Sequence, residues 1–500
     1  MRRCTASLLI LLAAAAPPSR PDVLFILSDD LGIGEVGFAV PNTNKNISTP
    51  HIDTLAASGM IFNSAYTGAP VCAPSRGTLL TMRHTGHATI RGNKDVGGHD
   101  FPLRADPEDV TFLSVLAAAG YHVSCVGKWG VGWISNSGSP VLKGCTDYYG
   151  VLDQNEAHDM YPSDANFTWR WPAANGSAAW EALPFPANAN ASRAACMAPG
   201  NACVWSHDLW TQAALLALAS HSARRAAAGA AAPPLFLYVA YTDPHAGGWQ
   251  DNDAEEGNPV PDDGNFTNAG WPVAERDHAS VIQNYQDRDV GALVAAADAA
   301  GAAPFLKMFA SDNGASNEGH HDYLFFNSSG PLRGFKRCLT EGGIRTPFAA
   351  SWPGVIAPGS SSAVPIAFYD VGPTVLELAG VPRASWPAGI DGISFAPLLL
   401  GGDPAPYANK SLYWEFCTAV HPPLEPRSGP GWGHALRRGP WKIVSFFADQ
   451  PVRLYNLDED VYEVHDLAAQ HPDIVTELTA LAKAAHVDSA DFPVAGCTPS

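Results

Sequence analysis

The chain predicts an α/β fold, a mixed but largely parallel sheet flanked by helices, followed by a smaller C-terminal α+β part. Two observations carry this. Four short apolar runs recur between helix-like segments, and each ends abruptly in polar residues. Beyond residue 402 the pattern changes to strand-like runs and one closing helix. Parallel neighbours need crossovers of about a dozen residues or more, usually helical, which is the spacing seen here.

The chain opens on Met1-Arg2-Arg3, an apolar stretch at 7–16 and Pro17-Pro18. That reads as a signal peptide over 1–20, too short to span a bilayer. The first strand-like run, 23–27, ends at Ser28-Asp29-Asp30, and the second, 121–126, at Gly127-Lys128. The third, 235–241, leads into Thr242-Asp243-Pro244-His245, and the fourth, 306–310, ends at Ser311-Asp312-Asn313-Gly314. Ligands of open α/β sheets bind beyond the carboxyl ends of the strands, so these four ends are expected to converge on one site.

Between the first two runs lies Cys72-Ala73-Pro74-Ser75-Arg76-Gly77-Thr78-Leu79-Leu80-Thr81. Pro74 suits the first position of a helix, where its missing N–H has no intrahelical partner. Cys72 then sits at a helix N-terminus that favours an anion. Arg76, one turn along, faces the same way and adds a planar, multi-donor cation. The alanine-rich 213–219 reads as a short packed surface helix. Residues 163–203 show no core periodicity and read as a glycosylated surface excursion. Residues 370–382 carry an N-cap, a proline near the start and a glycine at the stop. The Gly/Pro-rich 397–402 marks a boundary, giving a catalytic domain over 21–402 and a C-terminal subdomain over 403–500. In the latter, 441–444 and 453–457 read as strands of a small antiparallel sheet and 473–485 as an amphipathic helix.

The net charge of −19 argues against nucleic acid or an anionic membrane as partner. An anionic ligand must then be held by a local cationic pocket, which favours small or end-on substrates over long polyanions. No later run of about 20 apolar residues predicts membrane insertion. Seven Asn-x-Ser/Thr acceptors (Asn46, Asn166, Asn175, Asn190, Asn265, Asn327, Asn409) fit an exported chain. Of nine cysteines, setting aside Cys4 and Cys72 leaves seven, so at least one is free or unusually paired. Cys196 and Cys203 flank a Pro-Gly-Asn turn and are expected to close a small disulfide loop.

Adjacent Asp29 and Asp30 repel each other unless a cation neutralises them. Alone, such a pair reads as a helix cap beside a solvated acid. The second strand ending in Asp312-Asn313 points instead to a hard-oxygen set suited to Ca²⁺ or Mg²⁺, without the soft ligands of zinc. Lys128 alone would read as a snorkelling surface lysine and His245 as a turn residue. Lys336 falls in Leu332-Arg333-Gly334-Phe335-Lys336.

The run Cys72-x-Pro74-Ser75-Arg76, followed by Leu79-Leu80-Thr81, resembles the signature of the type I sulfatases. The resemblance implies an alkaline-phosphatase-like fold and hydrolysis of carbohydrate or aryl sulfate esters. It implies that a formylglycine-generating enzyme oxidises Cys72 to formylglycine, whose hydrate attacks sulfur with help from Arg76. It implies Ca²⁺ as the usual metal, held by Asp29, Asp30, Asp312 and Asn313 with an oxygen of residue 72. Lys128, His245 and Lys336 would bind the sulfate oxygens, with His245 also assisting the leaving oxygen. It implies a secreted protein or one of the endomembrane lumen.

Two positions depart from the family. Met82 stands where glycine is usual, and Gly130 follows Gly127-Lys128-Trp129 where a histidine is usual. A subset of the family shares Gly-Lys-Trp-Gly, a stretch like residues 84–93, and Ala157-His158-Asp159-Met160-Tyr161-Pro162. His158 is therefore the candidate for the missing proton role or for substrate contact, against a plain loop histidine. The rival readings are a phosphatase or phosphodiester/phosphonate hydrolase with a similar pocket, and a non-catalytic glycan-binding relative. Neither the natural substrate nor the oligomeric state follows from the sequence.

Overall fold

Four parallel strands form the centre of a ten-stranded sheet: β1 (Val23–Ser28), β2 (His122–Lys128), β3 (Leu235–Ala240) and β4 (Leu306–Ser311), in the order β4-β1-β3-β2. The computed structural model describes residues 20–39, 46–162, 168–189, 191–196, 201–248, 257–301, 303–418, 430–495 and 497. The expected signal segment, and the acceptors Asn166 and Asn190, lie outside them, apart from Arg20. The register aligns Ala310, Leu27, Ala240 and Gly127 in one row, so the four polar ends leave the sheet side by side. All six residues of β1 are buried. Val23, Phe25 and Leu27 enter one core and Leu24 and Ile26 the other, which is why the run is continuously apolar.

The helices Ser206–Ala228 and Arg288–Ala300 cover the second core. The first is covered by α1 (Cys72–Thr81) and the helices Phe112–Ala118 and Val371–Leu378. The surface helix expected at 213–219 is thus a fragment of a 23-residue helix. Its Ser and His positions, including buried His207 and His221, broke the apolar pattern in the sequence. The stretch 163–203 is also corrected. Trp169–Trp171 pairs antiparallel with Asp147–Val151 beside β2, and Glu181–Ala182 pairs with it in turn. Trp180 contacts Trp169, Trp171 and Tyr148, so aromatic packing supplies the core that periodicity did not reveal.

A separate antiparallel sheet runs Ser411–Thr418, Gly431–Arg438, Trp441–Ser445, Arg453–Asn456. The helix Pro472–Ala485 packs on one face through Leu478 and Ala482. The other face, with Trp414, Phe416 and Val444, packs on Tyr66, Val71 and Ile344. Val71 immediately precedes α1, so the small sheet braces that helix from behind.

Disulfides join Cys125 to Cys145, Cys196 to Cys203 as expected, and Cys417 to Cys497, while Cys72 and Cys338 are free among the described residues. Among those residues no helix is long and apolar enough to cross a membrane.

Candidate active site

α1 begins at Cys72, not at Pro74 as the sequence suggested, and Pro74 is its third residue. The first four N–H groups of a helix lack intrahelical partners, so proline costs nothing extra there. Every residue of α1 is buried. The Ala73 N–H donates to Asn93 Oδ1 at 3.1 Å, and Ser75 Oγ donates to the Asp312 carbonyl at 2.6 Å. These bonds fix the helix start over the end of β4. At the other end Met82 adopts φ +61, the left-handed value that glycine takes without strain. Its side chain is fully buried against Gly372, so apolar burial offsets the backbone strain.

The ten side chains singled out in the sequence meet at this point. Cys72 Sγ donates to Asp29 Oδ1 at 3.3 Å. Arg76 donates through Nη2 to Asp29 Oδ2 at 3.0 Å and Asp312 Oδ2 at 2.9 Å, through Nε to Asp312 Oδ2 at 3.1 Å, and through Nη1 to the Lys128 carbonyl at 2.9 Å. Lys128 Nζ lies 2.5 Å from Asp29 Oδ2. Lys336 Nζ donates to Asp30 Oδ2 at 2.9 Å, Glu318 Oε2 at 2.8 Å and His245 Nε2 at 2.8 Å. The His245 Nδ1–H is directed at the Ala246 carbonyl, 2.6 Å away, which leaves Nε2 as the acceptor. Asn313 Nδ2 donates to Asp30 Oδ1 at 2.6 Å. His158 ends a short 3-10 turn and stacks on His245, centroids 4.5 Å apart.

The electrostatics follow from burial and these pairings. Burial acts against the Asp29 carboxylate, but Lys128 and Arg76 outweigh it and hold its carboxyl far below the usual range. Burial and the Asp29 charge push Asp312 up to about 7. Burial, then Asp29, raises the Cys72 thiol well above its ordinary value. Burial is also the main reason both imidazoles are held low; Lys336 and Lys128 add to it at His245, and the His245 charge adds to it at His158. Burial opposes the Lys336 ammonium, yet Asp30 and Glu318 hold it charged.

The set also fits a hard divalent cation. Ligand atoms of Asp29, Asp30, Cys72 and His245 lie within 4.8 Å of one another. Asn313 Oδ1 is buried beside them without a hydrogen-bond partner. Carboxylates plus an amide oxygen are the donors that Ca²⁺ and Mg²⁺ prefer.

Residues 21–381 match the family described as Sulfatase. The chain belongs to the sulfatase family. Residues 334–486 also match the N-sulphoglucosamine sulphohydrolase C-terminal family. It is 30% identical to arylsulfatase A of Bos taurus, over 97% of this chain and 91% of that one. It is also 30% identical to N-acetylgalactosamine-6-sulfatase of Mus musculus, over 80% of this chain and 72% of that one. The structure of Ps i-CgsB in complex with k-i-k-neocarrahexaose matches with TM-score 0.68 at 22% identity, covering 93% of each chain. That of BT4656 in complex with its substrate D-Glucosamine-2-N, 6-O-disulfate matches with TM-score 0.63 at 17% identity, covering 93% of this chain and 97% of that one. The fold is theirs, and the activity is that of a sulfuric ester hydrolase.

Two residues at the centre of this sulfatase had not been singled out. Glu318 bridges Lys336 and Arg337, whose Nη1 donates to Glu318 Oε1. Nothing in the loop sequence Ser316-Asn317-Glu318-Gly319 distinguishes it from a solvated acid. The other is Gln154, whose amide occupies the space beside Gly130.

Proposed function

We propose that this sulfatase hydrolyses carbohydrate sulfate esters with a formylglycine derived from Cys72 as its nucleophile. The observation that carries this reading is the position of Cys72, at the buried start of α1 between the Asp29 carboxylate and the cations of Arg76, Lys128 and Lys336. The names of a 6-sulfatase relative and of glycan-bound structural neighbours support carbohydrate sulfates, while the arylsulfatase A relative keeps aryl esters beside them as the test substrates to compare.

A formylglycine hydrate at 72 supplies an oxygen nucleophile. A Ca²⁺ or Mg²⁺ ion held by Asp29, Asp30, Asp312 and Asn313, with the oxygen of residue 72, supplies positive charge against the sulfate. The protein's own groups do the rest. The N-terminus of α1 and the Lys128 and Lys336 ammoniums face the sulfate oxygens, where preorganised charge contributes most to such transfers. Arg76 locks Asp29 and Asp312 in place through three bonds and holds the Lys128 carbonyl with a fourth. The hydrogen-bonded pair of Lys336 Nζ and His245 Nε2 would supply the proton that the departing ester oxygen takes, a role supported by their contact at 2.8 Å. Burial around Cys72 and Asp312 excludes water.

The three disulfides and the exposed acceptors Asn46, Asn175, Asn265 and Asn409 support passage through an oxidising, glycosylating compartment, where a formylglycine-generating enzyme would act. Peptide mass spectrometry on protein co-expressed with that enzyme tests the reading. The expected result is an aldehyde at 72 that tracks sulfate release from defined sulfated sugars. Full turnover with an unmodified Cys72 would overturn it.

A further inference from the structure

Gly130 ends the path of β2 into the site, two residues beyond Lys128, with φ +77 and no side chain. Its side-chain space is taken. A Cβ there would lie 2.1 Å from Gln154 Nε2 and 3.6 Å from Arg76 Cδ, so the Gln154 amide and the stem of the central arginine both border the space at Gly130. Gln154 is 6% exposed, and neither Nε2 nor Oε1 has a hydrogen-bond partner. Buried amides are almost always paired, and an unpaired one is costly to keep. Beside a reacting centre the natural partner is a polar atom of the ligand.

The surroundings say which kind of atom. The Gln154 N–H donates to Asp100 Oδ2 at 2.8 Å, and Asp153 takes the Asp100 N–H at 2.8 Å and faces His99 Nδ1 at 2.7 Å. His99 stacks on Trp133 with centroids 3.9 Å apart, which fixes this wall. Asp100 lies close enough to Lys128 to feel its charge, so the wall adjoins the sulfate-holding cations. Burial raises the carboxyls of Asp100 and Asp153, and it pushes Glu156 up to about 9. Carboxyls that hold their protons more tightly, set around an amide, offer hydrogen-bond donors and acceptors that suit the hydroxyls of an uncharged ring.

We propose that Gln154 is a substrate-binding residue whose amide hydrogen-bonds a ring hydroxyl next to the scissile ester, selecting sugars with that hydroxyl free over aryl sulfates. This role rests on the carbohydrate sulfatase reading above. Sites built to bond a hydroxyl reject analogues lacking it far better than apolar pockets reject shape changes.

The test uses full-length, aldehyde-bearing enzyme with monosulfated galactose, glucosamine and N-acetylgalactosamine, each sulfate position separately, and 4-nitrophenyl sulfate. For Gln154→Leu the ratio of kcat/KM on the best sugar to that on the aryl ester is expected to fall about 10–100-fold. Should that variant fail to fold, the aldehyde-bearing enzyme with Gln154 in place still decides. Replacing one hydroxyl next to the ester by hydrogen is expected to lower kcat/KM by a similar factor. An unchanged ratio in Gln154→Leu, or indifference to every neighbouring deoxy position, overturns the assignment while leaving the sulfatase reading intact. Turnover of the aryl ester alone overturns both the assignment and the carbohydrate reading. Release of sulfate from neither class by aldehyde-bearing protein sinks the proposed function itself.

Discussion

Two pairs of stacked imidazoles in this sulfatase have opposite surroundings. His278 and His321 stack with centroids 3.7 Å apart and face carboxylates: Glu35 Oε1 lies 2.5 Å from His278 Nε2, and Glu275 Oε2 lies 2.7 Å from His321 Nδ1. His158 and His245 stack at 4.5 Å, and His245 Nε2 takes its hydrogen bond from the Lys336 ammonium, with the Asp30 and Glu318 carboxylates farther off at 3.5 and 3.6 Å. The first pair joins three segments: the turn after β1, the helix Val273–Ser280 and the loop after β4. Its glutamates also take the N–H groups of Gly32 at 2.6 Å and Asp322 at 2.8 Å. The second pair presents neutral rings to the place where an anion arrives. Carboxylates make a histidine pair into a tie; ammoniums keep one available for chemistry.

The sharpest way to break this contrast is to remove the cation. Lys336→Ala takes a donor from His245 and the partner from Asp30, and turnover of sulfate ester is expected to fall by about 10²–10³-fold. Steady-state sulfate release measures it; a loss below tenfold would show that Lys336 is only a structural counter-ion. Breaking the tie instead should show in stability. Glu35→Ala strands the His278 imidazole and the Gly32 N–H in the core, with an expected cost of about 3 kcal/mol, read as a lowered urea midpoint. A midpoint unchanged by Glu35→Ala would mean the network carries no load.

A fifth histidine sharpens the rule by pH. His207 is buried between Asp243 Oδ2 at 2.9 Å and Asp289 Oδ2 at 3.1 Å. Burial opposes its charge, but the two aspartates win and raise it to about 9. Because the folded value exceeds the unfolded one near 6.5, its stabilisation is complete below pH ~6.5 and disappears as pH rises through about 9. Urea midpoints between pH 6 and 10 should therefore fall by an amount equivalent to a few kcal/mol in the native protein, and less in His207→Gln. Parallel pH profiles for the two would remove His207 from the class of carboxylate ties.

The sequence displayed much of the candidate site because its parts are local: each strand end and the 72–81 run brings its side chains within a few residues. Parallel topology then brought the ends into one row. What stayed hidden depends on contacts between distant segments. Gln154 gains meaning only through the glycine at 130, and Glu318 only through Lys336 folding back on it. The tie of Glu35, His278 and His321 spans 286 positions and has no motif at all. The edge strands near Trp169 were missed because aromatic contacts replace alternation there.

The smallest expected effect concerns His158, the outer ring of the cationic stack. Its turn follows the strand Asp147–Val151, and its ring lies at 18° to that of His245. Burial, reinforced by the charges of His245, Lys128 and Lys336, keeps it neutral, so it acts as an acceptor or a packing surface. Removing it leaves the His245 tautomer unchanged, since Ala246 and Lys336 set that tautomer. His158→Ala is accordingly expected to lower kcat/KM by about tenfold, the low side of what a positioned imidazole contributes. His245→Ala should hurt an ester with a poor leaving group much more than one with a good one, because its pair with Lys336 holds the proton for the departing oxygen. His158→Ala should hurt both alike. The measurement is kcat/KM of both variants on 4-nitrophenyl sulfate and on a sulfated sugar. If His158→Ala showed the leaving-group dependence instead, the proton would belong to the outer ring, and the contrast drawn from the two stacks would fail at its active member.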